Sequence, residues 1–413
     1  MSTRIARALR LPALVALALP ALVSCHNGYD NNCCVSYTPT EGSYGVVAGD
    51  FNGDTFTDVV ALSTLYPITA AGQSNVKAYL STGPGAFAAP AFYAAGTDPL
   101  WIAAADLNKD GATDLVTASY DDGTLAVLFA NKAAPGTFNP AVMLSSPGAS
   151  QVAILDMNGD GLPDLVSADF GVSLFLQTSA GTFAAPVSLY SGGANFVALG
   201  DLNGDGVPDV ALTDATGVKV LLRTGGLSST TFEAPLTVFT QTANSGQAGA
   251  NLIAIADIDG DGLNDLVITD PGPSGGAAPT VNVLLQDHSN HGTFLPPVSY
   301  PGTPQDVPVS ILLRDLTGAG NGVLDIVIGN QDSVTVLLHD PANPGKFLAA
   351  KTYPAPGANE IAIADVDGDG RLDIITSNGA TQPTVNGVVT TEPGVLLQSA
   401  TTPGTFGALQ NLP

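Results

Sequence analysis

Asp156–Asp164 reads DMNGDGLPD. The string returns as DFNGDTFTD at Asp50–Asp58, DLNKDGATD at Asp106–Asp114, DLNGDGVPD at Asp201–Asp209, DIDGDGLND at Asp257–Asp265 and DVDGDGRLD at Asp365–Asp373. A degraded copy, DLTGAGNGVLD, occupies Asp315–Asp325. The leading aspartates lie 56, 50, 45, 56, 58 and 50 residues apart, a mean period near 52. Self-similarity on this scale marks a repeat architecture, in which each copy is one supersecondary unit. A second marker keeps time with the first: Phe87, Phe138, Phe183, Phe232, Phe294, Phe347 and Phe406 each follow one string, mostly as Gly-Thr-Phe with a proline soon after.

Each unit holds four short apolar runs. In the second they are Ile102–Ala105, Leu115–Ala118, Leu125–Phe129 and Ala141–Leu144. They are rich in β-branched residues and bounded by Gly, Asp, Asn or Pro, which is the pattern of strands. Four strands per unit and seven units predict an all-β fold, a seven-bladed β-propeller with four-stranded antiparallel blades. Immunoglobulin-like domains would need about 100 residues per unit. Four residues before each leading aspartate stand Val46, Ile102, Val152, Val197, Ile253, Ile311 and Ile361, which read as a packing slot. One residue earlier stand Gly45, Trp101, Gln151, Phe196, Leu252, Ser310 and Glu360, whose variety reads as a free position. A strand after Phe406 is expected to complete the last blade, so that the C-terminal segment closes the ring.

By position the string is D-x-[DN]-x-D-G-x-x-D. Calcium takes six to eight hard oxygens at about 2.3–2.6 Å, and a short loop supplies them from alternate side chains and one carbonyl. The expected ligand sets, with the seventh position giving its carbonyl, are Asp50, Asn52, Asp54, Phe56 and Asp58; Asp106, Asn108, Asp110, Ala112 and Asp114; and Asp156, Asn158, Asp160, Leu162 and Asp164. They continue with Asp201, Asn203, Asp205, Val207 and Asp209; Asp257, Asp259, Asp261, Leu263 and Asp265; and Asp365, Asp367, Asp369, Arg371 and Asp373. Glycine at the sixth position lets the chain fold around an ion. A strand follows the ninth position directly, so the loop is a hairpin turn and not an EF-hand. The seven strings hold 22 of the 33 aspartates, and carboxylates packed that closely repel without a cation. Thr55 replaces the glycine in the first loop and weakens it. The Asp315 loop, with Thr317 and Ala319, is expected to take no Ca2+, leaving about six sites.

The chain has 413 residues and a formal charge of −25, which excludes nucleic-acid binding by phosphate neutralisation. Arg4, Arg7 and Arg10 precede an apolar run, Leu11–Val23, that reads as a secretory signal over residues 1–24. Leu22-Val23-Ser24-Cys25 resembles a bacterial lipobox, with Cys25 as the lipidated residue and membrane anchor. Residues 25–44 then form a polar tether and 45–413 the propeller. The expected product is an exported, monomeric cell-envelope lipoprotein or surface protein. Cys33 and Cys34 leave no material for a disulfide framework in the main domain.

The aspartate string, the small-apolar strand before it and the Gly-Thr-Phe/Pro signal resemble FG-GAP/VCBS repeats, the units of the integrin-α-like calcium-binding propeller. The resemblance covers roughly Gly45 to Pro413 and implies a binding scaffold without naming a ligand. Enzyme signatures are poor. Gly272–Gly276 matches G-x-S-x-G but lies between strands, where no nucleophile elbow forms. Asp287, His288 and His291 make a metal cluster only if a turn can gather them. The leading expectation is a non-catalytic, surface-anchored propeller that binds an extracellular glycan or protein. The alternatives are a calcium-assisted lyase or hydrolase of acidic polysaccharide, or a structural envelope or secretion component. Loops between second and third strands are long in units 1, 5 and 7. They share a face with Trp101, Tyr66, Tyr120, Asp121, Asp122 and Glu392, the candidate ligand-binding residues.

Overall fold

The computed structural model describes residues 45–62, 76–97, 99–241, 252–272, 278–304, 306–318, 323–378, 384–385, 388–389 and 393–412. Seven four-stranded antiparallel sheets follow one another along the chain. Blade 2, for example, runs Pro99–Ala105, Asp114–Ser119, Thr124–Leu128 and Val142–Ser145, inner to outer. Each blade takes its strands from one stretch, and no helix occurs among the described residues. The C-terminal segment supplies the last outer strand, Gln410–Asn411, which pairs with Gly394–Leu396. Cys25, Cys33, Cys34 and the Pro273–Gly276 part of the G-x-S-x-G match lie outside the described residues.

The strand sequences follow from their places in the fold. A second strand has a neighbouring blade on both faces, so Asp114–Ser119 and Asp265–Asp270 are buried at every position. The apolar Leu115–Val116 and Leu266–Ile268 at their centres reflect this double covering. Outer strands such as Val142–Ser145 have solvent beside them and are largely exposed. The hydrophobic core is divided among the blade interfaces. At ring closure Val46, Val59 and Tyr79 of blade 1 pack with Val366, Ile375 and Leu412 of blade 7.

The Gly-Thr-Phe turns are inter-blade parts. Gly136, Gly292 and Gly345 adopt positive φ, and an added Cβ would come within 2.6–3.1 Å of Leu80, Leu222 and Leu285 of the preceding blade. Only glycine fits there. The phenylalanines meet outer-strand tyrosines of the preceding blade edge to face: Tyr93–Phe138 at 5.2 Å, Tyr300–Phe347 at 5.7 Å and Tyr353–Phe406 at 5.5 Å. The amides of Phe347 and Phe406 also donate to the tyrosine hydroxyls at 3.1 and 3.2 Å.

One sequence expectation needs correction. The position before the packing slot is not free: Gln151, Leu252, Ser310 and Glu360 are buried there. Gln151 bonds across to blade 4, accepting from the Val197 amide at 2.9 Å and donating to its carbonyl at 3.2 Å. Glu360 accepts from the Val46 amide at 3.1 Å, from blade 7 to blade 1. The variety of residue types reflects different seams between blades, not exposure to solvent.

Candidate functional site

The aspartate loops join the first and second strands on one face of the disc. In the third copy, Asp156 accepts from the Gly159 and Gly161 amides at 2.7 and 2.8 Å. Asn158 accepts from Asp160, and the Asp160 carboxylate from Leu162, at 2.9 and 2.8 Å. Copies at Asp201, Asp257 and Asp365 repeat the scheme. Positive φ recurs at the sixth position (Gly111, Gly161, Gly206, Gly262, Gly370) and also at the fourth (Gly53, Gly159, Gly204, Gly260, Gly368). Thr55 and Lys109, at φ 74° and 57°, are the non-glycine exceptions among the described residues.

The ninth-position aspartates have a second task. Asp164 is fully buried, with one oxygen accepting from Met157 in its loop at 2.9 Å and the other from Gln177 after the third strand at 2.7 Å. Asp58, Asp114, Asp209, Asp265 and Asp373 do the same in their blades. Each staples the two connections of one face together. Burial, with added repulsion from carboxylates in the loop, pushes Asp209 up to about 6 and Asp265 up to about 7, against the pull of their amide donors. Burial likewise raises Asp58, Asp114, Asp164 and Asp373.

The donor set fits a hard divalent cation. Carboxylate oxygens of Asp257, Asp259 and Asp265, and of Asp365, Asp367 and Asp369, converge to within 4.8 Å of one another. Ligands about 2.4 Å from a common centre stand no farther apart than this. Two basic side chains lean on fifth-position carboxylates: His288 on Asp261 at 2.8 Å, and Arg371 on Asp369. His288 and His291 do not form one metal cluster with Asp287. His291 instead stands over Gly204 in the loop of blade 4. The loops also touch the next blade, since Gly136 abuts Asn52 and Gly345 abuts Asp259, each at 3.1 Å from an added Cβ. Buried Arg223 of blade 4 donates to the Met157 carbonyl in the loop of blade 3, a contact no repeat pattern announces.

The opposite face carries aromatics. Tyr120 follows the second strand of blade 2, and its ring meets Phe170 of blade 3 at 6.2 Å and 82°. Phe170 is 63% exposed, and its turn is fixed by Asp169, which accepts from Gly171 at 2.8 Å and from the Ser146 hydroxyl at 3.2 Å. Trp101, half-buried, meets Phe196 of blade 4 at 5.8 Å and 71°. Asp121 is exposed, and Asp122 accepts from the Thr97 amide and the Thr124 hydroxyl, both at 2.7 Å. Tyr66 and Glu392 lie outside the described residues. Phe170 and Phe196 were missed because each pairs with a residue in another blade.

The FG-GAP-like repeat family matches residues 106–167, 156–212, 201–268 and 319–376. A sequence comparison with curated proteins finds no match. Among solved structures, the chain is similar to an Agrocybe aegerita lectin that recognises non-reducing terminal N-acetylglucosamine, at 22% identity over 75% of this chain and 80% of the lectin, TM-score 0.52. It is similar to a putative 6-phosphogluconolactonase of Bacteroides fragilis, at 15% identity over 76% and 85% of the two chains, TM-score 0.52. A protein from Lactobacillus plantarum follows, at 15% identity over 76% and 86%, TM-score 0.50. At these identities the likeness is one of fold.

Proposed function

Because the chain belongs to the FG-GAP-like repeat family, we propose that it is a calcium-stabilised, non-catalytic binding propeller. In this reading it is exported by its N-terminal signal, anchored through Cys25, monomeric, and presents its aromatic face to an extracellular glycan or protein. The observation that carries the reading is the Tyr120–Phe170 pair: an exposed Phe170 ring set edge to face against half-buried Tyr120, on short, hydrogen-bonded turns beside Asp121 and Asp122. Aromatic faces next to a few fixed polar groups suit recognition of a sugar or a peptide. The convergent aspartate oxygens support calcium as the structural ion, which would hold six of the seven first-to-second connections.

A glycan array that includes N-acetylglucosamine-terminated chains, probed with the calcium-loaded protein, tests the reading. Binding should fall at least tenfold in Tyr120→Ala/Phe170→Ala, with the calcium-dependent melt unchanged. Binding unaffected by the double substitution would place the ligand elsewhere. New unsaturated or reducing ends in the glycan would show an enzyme.

A further inference from the structure

The aspartate loops provide their own comparison series at the fifth position. One oxygen of that carboxylate, Oδ1, accepts from the seventh-position amide at 2.7–2.9 Å in Asp54, Asp110, Asp160, Asp205, Asp261 and Asp369 alike. Oδ2 is then the oxygen left for an ion. In the first, third and fourth loops the third-position asparagine caps it. Asn52, Asn158 and Asn203 donate to Oδ2 of Asp54, Asp160 and Asp205 at 3.0, 3.0 and 3.1 Å. The fifth and seventh loops carry Asp259 and Asp367 at the third position, and an ionised carboxylate has no N–H to give. There a basic side chain takes the amide's place. The His288 imidazole lies 2.8 Å from Oδ2 of Asp261, and Arg371 donates through Nη2 to Oδ2 of Asp369.

From this we infer that Arg371 is a resident counter-cation of the seventh loop, which competes with calcium for Oδ2 of Asp369 and holds the loop when calcium is withdrawn. The inference rests on the calcium reading above. Three observations single out this side chain. Among the described residues its guanidinium makes one hydrogen bond, to Asp369, while its Nε is buried without a partner. The two side chains are 31% and 26% exposed, and an ion pair so placed is weak in water. An ion that gathers several oxygens at once therefore displaces it. The loop also supports the seam that closes the ring. The Gly85 amide of blade 1 donates to the Val366 carbonyl at 3.0 Å, and a Cβ on Gly368 would lie 3.3 Å from Pro84. With four carboxylates and no cation of its own, this loop would lose its shape through repulsion whenever calcium left. Arg371, one covalent loop away from Asp369, prevents that.

Arg371→Leu gives the seventh loop the residue type of Leu162 and Leu263 in the third and fifth, and keeps the backbone carbonyl. Labelling with carbonyl-13C aspartate and 15N-glycine restricts the amide spectrum to Asp-Gly steps, among them Gly370 in this loop and Gly161 in the third. Calcium titrated into the full chain against a competing chelator should shift both signals. In the variant the Gly370 midpoint should fall at least about threefold, the scale of one lost exposed ion pair, with that of Gly161 unchanged. In wild type labelled with 15N-arginine, the Arg371 Nε signal should move together with Gly370. That of Arg314, which bonds to the Leu313 carbonyl beside the degraded loop, should stay. In chelator the Gly85 amide should exchange with deuterium faster in the variant than in wild type. An equal Gly370 midpoint, a stationary Arg371 signal or equal Gly85 exchange would each overturn the inference. Calcium that shifts neither Gly370 nor Gly161 in wild type would overturn the calcium reading, and the inference with it.

Discussion

Glu360→Gln should make the fold more stable as pH rises, by a margin that grows with pH. Glu360 closes the ring: its carboxyl accepts from the Val46 amide of blade 1, while its own backbone exchanges hydrogen bonds with Ser377. A Cβ on Gly45 would lie 2.6–2.9 Å from the carboxyl, Leu62 and Ile102, so the surroundings are close-packed and apolar. Burial raises this carboxyl well above its ordinary range, the Val46 amide opposes it weakly, and no charged neighbour contributes. The native acid therefore stays protonated at pH values where the unfolded one has ionised. In that interval the native state binds one more proton, so stability falls by about 1.4 kcal/mol per pH unit as pH rises. For a chain of this size that is a loss of roughly 2 °C in melting temperature per unit. Glutamine removes the titration and fits, because Gln151 already makes the same cross-blade contact with both of its side-chain atoms.

The assay is a set of thermal or urea melts of wild type and Glu360→Gln from pH 5 to 8.5 at saturating calcium. Taking the difference between the two proteins cancels every other titrating group. The variant's advantage should widen with pH, by about 1.4 kcal/mol per unit for as long as the native carboxyl holds its proton and the unfolded one does not. Parallel curves would show that the carboxyl does not change its proton on folding. A variant less stable at every pH would show an ionised carboxylate with a partner, and either outcome refutes the reasoning.

Chelation should lower the melting temperature, and calcium should restore it better than magnesium, since a ligand of the native state alone stabilises by mass action; scanning calorimetry with each ion checks this. In chelator, the raised Asp209 and Asp265 make the metal-free fold lose stability as pH rises from about 4 to about 7, because the unfolded carboxyls release their protons first. The shift on adding calcium should accordingly be larger at pH 7.5 than at pH 5. Thr55→Gly, which relieves a β-branched residue at φ 74°, should stabilise the first loop by about 1 kcal/mol and tighten its calcium binding, measured by calorimetric titration. Asp164→Asn should cost about 1–3 kcal/mol in a denaturant titration, because the amide turns an NH2 toward one of the two backbone donors at Met157 and Gln177.

The repeats, the strands and the aspartate hairpins were legible in the sequence because each is a local pattern repeated in register. The Gly-Thr-Phe marker was legible as a signal but not as a mechanism. Its glycine and phenylalanine act on the preceding blade, against Leu80 or Tyr93, so their partners lie some fifty residues away. Phe170 stayed hidden for the same reason: its companion Tyr120 belongs to another repeat. Variation at Gln151 and Glu360 was read as freedom because a single unit does not show what its first strand meets in the next blade.

The degraded sixth loop separates the two tasks of the aspartate string. Positions three and five, Thr317 and Ala319 here, have lost the carboxylate and amide oxygens that the other loops offer. The ninth-position residue survives two inserted residues, and Asp325 still accepts from Leu316 and from His339, both at 2.9 Å. Replacing it would leave two buried amides without partners, each at a cost of about 1–3 kcal/mol, whether or not a metal is bound. The imidazole of His339 shares a further 2.9 Å hydrogen bond with the same carboxylate, a contact that the glutamines at 177, 286 and 398 do not make from that position. In blade 6 the staple is thus held by a side chain on the third-to-fourth connection. In the other six blades the ninth aspartate faces its loop's own carboxylates, and it is there that the proposed calcium would offset their repulsion.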